Sequence, residues 1–337
     1  MRVLVTGGTG FVGSHTVAAL KREGHEPRLL VRSAAKVAPA LEPHRVEVED
    51  VVEGDVLDRE AVGSAMEGVD AAIHGANVFS FQPRDFAQML AVNEGGTEIV
   101  LGEAVERGLD PIVHVSSFVA LLPAADRIGP DSPVGEPSPA YAKSKARAES
   151  IARGHQERGA PVVTTYPGPV WGPHDPHLGE SSRLALSALN GSMRVLNDGP
   201  LPVSDVRDVA EVHAKVLEPE LGPRRFVATG HDVRLRELMA RLGEIAGRNL
   251  WSLRVPNAGA LMAGRMADGV ARITGARLPL NYAGPWLIAN GVRTDNSALG
   301  EELGVAVRPL DETLADTVRW LVEAGHLKPR RAPKLAS

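Results

Sequence analysis

Three groups of residues in this chain have the types and spacing needed for chemistry. Tyr141 and Lys145 stand four apart in Tyr141-Ala142-Lys143-Ser144-Lys145. In a helix that spacing puts both side chains on one face. A phenol, with an ordinary pKa of about 10, is a poor acid or base near neutrality; a cation one turn away favours its phenolate. The second group follows the apolar run Ile112-Val113-His114-Val115, which ends in Ser116-Ser117. A serine at the carboxyl end of a strand faces the ligand side of a parallel sheet. There Ser117 is placed to donate to a carbonyl oxygen while Tyr141 protonates it. The third group opens the chain, where Val3-Leu4-Val5-Thr6 turns into Gly7-Gly8-Thr9-Gly10-Phe11-Val12-Gly13 and then into a helical pattern. A strand, a glycine turn and a helix start form a cradle for a dinucleotide pyrophosphate. Gly7 permits the turn, Gly10 lets the backbone approach the phosphates, and Gly13 lets the helix pack closely on the sheet. The first N–H groups of the helix then face the anion.

Alternating elements must position these groups. Apolar runs predict strands at residues 3–6, 28–31, 46–52, 71–74, 112–116 and 162–166, with one further parallel strand at 226–229. Helical patterns fall between them at 11–22, 59–66, 85–106 and 139–157. Such alternation implies a parallel sheet covered by helices on both faces, with ligands bound beyond the carboxyl ends of its strands. After Tyr166 comes a proline- and glycine-rich loop, 167–177, and then helices at 178–190, 206–217, 235–245, 258–273, 297–303 and 313–324. The basic, proline-containing tail after Leu327 is expected to be loose. The expected divisions are a dinucleotide-binding domain at 1–170, with returns near 203–230 and 290–296, a substrate lobe at 171–202 and 231–327, and the tail at 328–337.

Composition narrows the function classes. The chain has 337 residues, 43% of them apolar and 23% charged, in the range of an ordinary globular protein. A net charge of −5 without a long basic run argues against nucleic acid as a partner. With no cysteine, a disulfide, a thiolate nucleophile and a zinc–thiolate site are excluded. Met1 leads straight into a strand, so no targeting segment is expected. The apolar stretch 258–273 is too short to span a bilayer and carries Arg265 and Asp268. A cytoplasmic protein is the expectation. His174-Asp175-Pro176-His177 lies in a proline loop without a distant third ligand, so no metal site is expected. His74 and His114 read as buried strand residues, and Asp208 as support for the helix start near 206, where negative charge is favourable.

Taken together, these motifs resemble the extended short-chain dehydrogenase/reductase family over nearly the whole chain. The opening glycine turn resembles the family's cofactor turn. Gly54-Asp55-Val56 resembles the motif whose aspartate meets the adenine, and His74-Gly75-Ala76-Asn77 the segment lining the cofactor. Asn93-Glu94-Gly95-Gly96-Thr97 resembles a structural helix motif. Val115-Ser116-Ser117 and Tyr141/Lys145 occupy the catalytic positions. Tyr166-Pro167-Gly168-Pro169-Val170 resembles the segment at the nicotinamide end, in the flavour of the dihydroflavonol reductase and 3β-hydroxysteroid dehydrogenase branch. The resemblance implies an α/β, Rossmann-type doubly wound parallel sheet with a smaller, mostly helical C-terminal substrate lobe. It implies cofactor contacts from Gly7, Thr9, Gly10, Phe11, Val12, Gly13, Arg32, Ser33, Asp55, Val56, Gly75, Ala76, Asn77 and Ser116. Further contacts are implied from Tyr141, Lys145, Pro167, Gly168, Val170 and Ser182, with Lys145 on the nicotinamide ribose. It also implies homodimerisation through the helices at 85–106 and 139–157.

The second strand ends in Arg32-Ser33, where an NAD site usually has an acidic residue for the ribose hydroxyls. Arg32, with Ser33 or Lys36, instead suits a 2′-phosphate. NADP(H) is therefore expected, and NAD(H) stays open if Arg32 only stacks on the adenine. The expected reaction is hydride transfer between the nicotinamide and a ketone, aldehyde or secondary alcohol. Leu121, Leu122 and Pro123, the run Asn77-Val78-Phe79-Ser80-Phe81, and Leu261, Met262 and Met266 make that substrate hydrophobic if they face the pocket. A nucleotide-sugar epimerase is the alternative, with Arg183, Arg194 or Arg293 on a diphosphate. A dehydratase is set aside because Phe118 and Val119, not a carboxylate, follow Ser117. A non-catalytic NADP(H) sensor is disfavoured by the presence of Tyr141 and Lys145.

Overall fold

Seven short segments become the strands of one parallel sheet: β1 (Arg2–Thr6), β2 (Glu26–Val31), β3 (Val51–Glu53), β4 (Ala71–His74), β5 (Ile112–Val115), β6 (Val162–Thr165) and, later in the chain, Arg224–Phe226. The computed structural model that shows them describes residues 1–80, 85–193, 195–275 and 280–335. Two further strands, β7 (Val170–Trp171) and β8 (Pro200–Asp205), precede Arg224–Phe226, which is β9, and β10 (His231–Arg234) follows it. The large sheet runs β9-β6-β5-β4-β1-β2-β3. Its direction of winding reverses at β1, which pairs with β2 on one side and β4 on the other. Thr6 is level with both Leu30 and His74, so the chain leaves β1 and β4 side by side and opens a crevice there. Alternate residues of β1 feed opposite faces: Val3 and Val5 pack with Leu20 and Leu29, and Leu4 packs with Val100 and Leu101.

The helices that matter for the site are α1 (Phe11–Arg22), α2 (Arg59–Ala65), α3 (Gly96–Glu106), α4 (Ala140–Glu157), α5 (Glu180–Asn190) and α6 (Val206–Lys215). The smaller lobe adds α7 (Leu235–Ala246), α8 (Asn257–Thr274), α9 (Ala283–Ala289) and α10 (Leu310–Glu323). Its own core gathers Trp171, Leu201, Leu238 and Leu314. A fourth apolar cluster joins Phe118, Tyr166 and Trp286, and so ties the segment after β5 to α9.

Several expectations shift. The strand expected at 46–52 is only Val51–Glu53, and that expected at 226–229 is Arg224–Phe226, paired parallel with β6. The helix expected over 85–106 is a short helix, Phe86–Leu90, then a π turn, Ala91–Gly95, and then α3. The π turn holds Asn93, whose Oδ1 accepts from Val78 N at 2.7 Å and whose Nδ2 donates to Val78 O and Ser144 Oγ. One side chain thus pins the segment after β4 to α4 at a widened turn. The smaller lobe is mostly helical, as expected, and carries a small three-stranded sheet beside its helices. β8 pairs parallel with β7 and antiparallel with β10. The segment expected to be a loose tail packs down: Ala332 is buried and Lys334 Nζ donates to Glu244 O at 3.0 Å.

Candidate active site

The glycine turn is shaped by close backbone contacts. Gly7 has φ +77°, and a Cβ there would stand 2.7 Å from Ala76 N. A Cβ on Gly13 would lie 2.0 Å from Gly7 O. Gly10 is less confined by the protein, since its Cβ would meet only Gly7 O at 3.3 Å. Gly10 is also the N-cap of α1, with extended backbone and no side-chain cap, and the first turn carries no acidic residue. The helix therefore presents unpaired N–H groups to the crevice.

The crevice is a cavity of about 620 Å³. Gly7, Thr9, Gly10, Phe11, Val12, Gly13, Arg32, Asp55, Val56, Gly75, Ala76, Asn77, Gly168 and Val170 all line it, as do Ser117 and Tyr141. Five other expected contacts, Ser33, Ser116, Lys145, Pro167 and Ser182, are not among the residues that line it. Ser33 stands at the start of a short 3-10 turn, Ala34–Lys36, and is half-buried. Ser116 and Pro167 line a second cavity of about 130 Å³ with Thr6, Thr16 and His213, and the buried Ser116 Oγ has no protein partner. Ser182 is turned inward, donating to Asp175 Oδ2 at 2.7 Å, so Ser181 and Arg183 line the cavity in its place. Asp175 also accepts from His177 N and Gly179 N. It braces the entry to α5, which accounts for the His-Asp-Pro-His run.

The catalytic candidates converge from two elements. Ser117 follows β5; its Oγ stands within hydrogen-bonding reach of the Tyr141 hydroxyl, and its two backbone contacts are long, donating to Pro167 O at 3.5 Å and accepting from Val119 N at 3.4 Å. Bonds of that length are weak, so the hydroxyl is available to a ligand. Tyr141 lies in the first turn of α4, its ring edge-on to Phe79 with centroids 4.4 Å apart. Burial pushes the phenol up to about 12, with the Ser117 hydroxyl pulling the other way. This corrects the expectation that the neighbouring cation sets the shift: burial sets it, and the only opposing influence is the Ser117 hydroxyl. Lys145 is itself buried, and its Nζ donates to Val115 O at 3.0 Å. Burial brings its ammonium down to about 8, opposed by the Glu149 carboxylate.

Glu149 is a site residue that sequence reasoning missed. Tyr141, Lys145, Glu149 and Arg153 recur every fourth residue, so they form one row along α4. Glu149 Oε1 accepts from Tyr166 Oη at 2.6 Å and from Arg153 Nε at 2.8 Å. The fourfold spacing was visible in the sequence, but nothing there showed this face to be buried. His74 and His114 are buried beside Lys145, and burial lowers both imidazoles, with the lysine charge adding to the shift.

The apolar wall keeps Val78 and Phe79 of the expected run and otherwise differs from the expected one. Val78, Phe79, Ala283, Trp286 and Leu287 line the cavity. Leu121 and Leu122 are buried in the core, while Pro123, Met262 and Met266 are exposed. Leu261 packs against the cluster around Trp286. Phe81 and Arg194 lie outside the described residues. Of the other arginines considered for a diphosphate, Arg183 lines the cavity but pairs with Glu180 at 3.5 Å. Arg293 starts a two-residue strand paired with Arg127–Ile128. Asp208 lies in the first turn of α6, but the cap is Asp205, which accepts from Arg207 N. The Asp208 carboxylate instead takes Arg308 N at 2.9 Å and the Arg308 side chain.

Comparison with known proteins adds a family. The sequence model of the NAD dependent epimerase/dehydratase family matches residues 3–228. The chain is 30% identical to sterol demethylase protein B of Methylococcus capsulatus, over 96% of this chain and 99% of that protein. It is 28% identical to 4-hydroxy-2-methyl-3-oxo-4-farnesyl-3,4-dihydroquinoline-1-oxide ketoreductase of Stigmatella aurantiaca, over 98% and 100% of the two chains. The crystal structure of gox2253 superposes with a TM-score of 0.79 at 26% identity, covering 97% of this chain and 99% of that one.

Proposed function

The chain belongs to the NAD dependent epimerase/dehydratase family, and on that premise we propose that it is an NADP(H)-dependent reductase of an apolar ketone or aldehyde. The observation that carries this reading is the meeting of Ser117 and Tyr141 on the wall of the cavity that the glycine turn also lines. The residues present fit a dinucleotide. A Cβ at Gly7 or Gly13 would strike the backbone that shapes the turn, Gly10 leaves the mouth of the turn open, and α1 offers its uncapped N-terminus to phosphate oxygens. Gly7, Gly10 and Gly13 hold the pyrophosphate, Asp55 and Val56 the adenine, and Arg32 the 2′-phosphate.

When bound, the dinucleotide supplies the hydride. The protein supplies the proton and its placement. Tyr141 Oη carries its proton at neutral pH, as an ordinary phenol does and as burial reinforces, the state a general acid needs for reduction. Ser117 Oγ donates to the same substrate oxygen and fixes it against Tyr141. Lys145 keeps a positive charge one turn below, which offsets the cost of the negative charge left on the phenol as its proton departs. Acid catalysis of this kind contributes roughly 10²–10⁴-fold, and the remainder comes from holding the carbonyl in place. Val78, Phe79, Trp286 and Leu287 give the substrate end an apolar surface, in keeping with the sterol and farnesyl words in two relatives' names.

Among the described residues, Arg183 on the cavity wall favours an epimerase. Both readings meet one experiment: NADPH absorbance is followed with apolar ketones and aldehydes and, separately, with nucleotide sugars. Net NADPH oxidation with the carbonyl compounds supports the reductase. Inversion of a nucleotide sugar without net oxidation contradicts it. Dimerisation through the helical stretches 85–106 and 139–157 is part of the proposal, and light scattering tests it: a dimer mass supports it and a monomer mass contradicts it.

A further inference from the structure

We propose that the outward face of α8 is a lipid-docking surface that seats the protein on an anionic bilayer. Of the ten large apolar side chains exposed among the described residues, seven fall between residues 251 and 280. Four of them are on α8: Met262 (64% exposed), Met266 (68%), Val270 (49%) and Ile273 (88%). Their spacing of four, four and three makes one stripe along the helix.

The stripe faces outward because the opposite side of α8 is committed. Gly264 is buried against the backbone of 281–282, where a Cβ would stand 2.6 Å from Asn281 O. Leu261 packs into the cluster around Trp286. Asp268, the sole acidic residue of α8, accepts from Tyr282 N at 3.3 Å and so is drawn to the inner side. Arg265 and Arg272, seven apart and both exposed, run along one flank of the stripe. Arg265 stacks its guanidinium 4.9 Å from the Tyr282 ring centroid, which places the charge at the rim.

Charge decides the occupant. The whole chain carries −5, yet this face is apolar and cationic. That pairing is complementary to acyl chains beneath anionic headgroups. A second copy docked face to face would oppose the same arginines to themselves, a like-charge contact that costs stability. No described helix is long and apolar enough to cross a membrane, so α8 would lie in the interface. Its neighbour α9 lines the cavity through Ala283, Trp286 and Leu287, so a docked α8 brings the cavity's apolar end towards the lipid. The inference stands whether or not the substrate reading holds.

The test is flotation of the full chain with phosphatidylcholine vesicles, with and without phosphatidylglycerol. The wild type is expected to float with the phosphatidylglycerol vesicles and to be released by salt. The double variant Met266→Glu/Ile273→Glu is expected to partition on the order of tenfold less or lower, with circular dichroism and thermal midpoint unchanged. Two vesicle results would overturn the proposal: a wild type that stays in the soluble fraction with anionic vesicles, or a double variant that floats as well as the wild type. Light scattering adds a third: if the double variant has a lower mass than the wild type, a second copy covers this face and the lipid assignment fails.

Discussion

Lys145 is held between opposing forces, and its protonation is the most informative property of any single residue here. Burial brings it down to about 8, and Glu149, bonded to Tyr166 and Arg153, pulls it back up. The charged form is the useful one, so turnover should fall as pH rises through about 8. Glu149→Gln keeps an acceptor for Tyr166 and Arg153 but removes the charge. The alkaline limb of the rate profile should then move to lower pH; an unmoved limb would mean that Glu149 acts only through packing. Arg32 faces a simpler test. It is exposed at the cavity rim, while the nearby Glu53 carboxylate accepts Ala34 N–H at 2.6 Å. Arg32→Glu should weaken NADPH binding at least tenfold more than NADH binding, a difference of about 1.4 kcal/mol. Equal losses in a fluorescence titration would remove the 2′-phosphate role.

At the scale of elements, the β1–turn–α1 unit separates two kinds of glycine. Gly13→Ala drives a Cβ to within 2.0 Å of Gly7 O and should cost about 1–3 kcal/mol in urea unfolding, along with dinucleotide affinity. Gly10→Ala meets only Gly7 O at 3.3 Å, so stability should hold while affinity falls if, as proposed, the pyrophosphate occupies that space. Loss of stability in both, or of affinity in neither, would contradict the cradle. This unit was legible in the sequence because its parts are contiguous, and Tyr141 and Lys145 were legible because helical spacing fixes a shared face. β8 was not among the predicted strands because Pro200 and Pro202 interrupt its apolar pattern. Leu122, Met262 and Trp286 are all apolar in sequence; only the packing shows that the first fills the core, the second faces outward and the third lines the cavity. Ser182 was misplaced because its partner Asp175 belongs to an irregular loop. The expected effect of the cation on Tyr141 failed because the depth of burial has no local signature in sequence.

Across the whole molecule, the smaller lobe is tied to the cradle through buried polar contacts. Asp205 caps α6 and accepts from Thr313 Oγ1 of α10 at 2.8 Å, and Arg207 reaches Asp316 at 2.7 Å. α6 in turn packs along α1, beneath the glycine turn. A dinucleotide bound at that turn should therefore stabilise the chain as one unit, by about 2.7 kcal/mol at a hundredfold excess over Kd. Calorimetry should show one transition moved up by NADPH, and by less with NADH at equal concentration. Two separate transitions, only one of them responsive, would contradict the coupling. The central claim is that Tyr141 delivers the proton within an intact cofactor site. The most direct measurement compares wild type and Tyr141→Phe for NADPH affinity and for carbonyl-dependent NADPH oxidation. Unchanged affinity with a rate lower by roughly 10²-fold or more is the predicted result; a variant that turns over near the wild-type rate would contradict it.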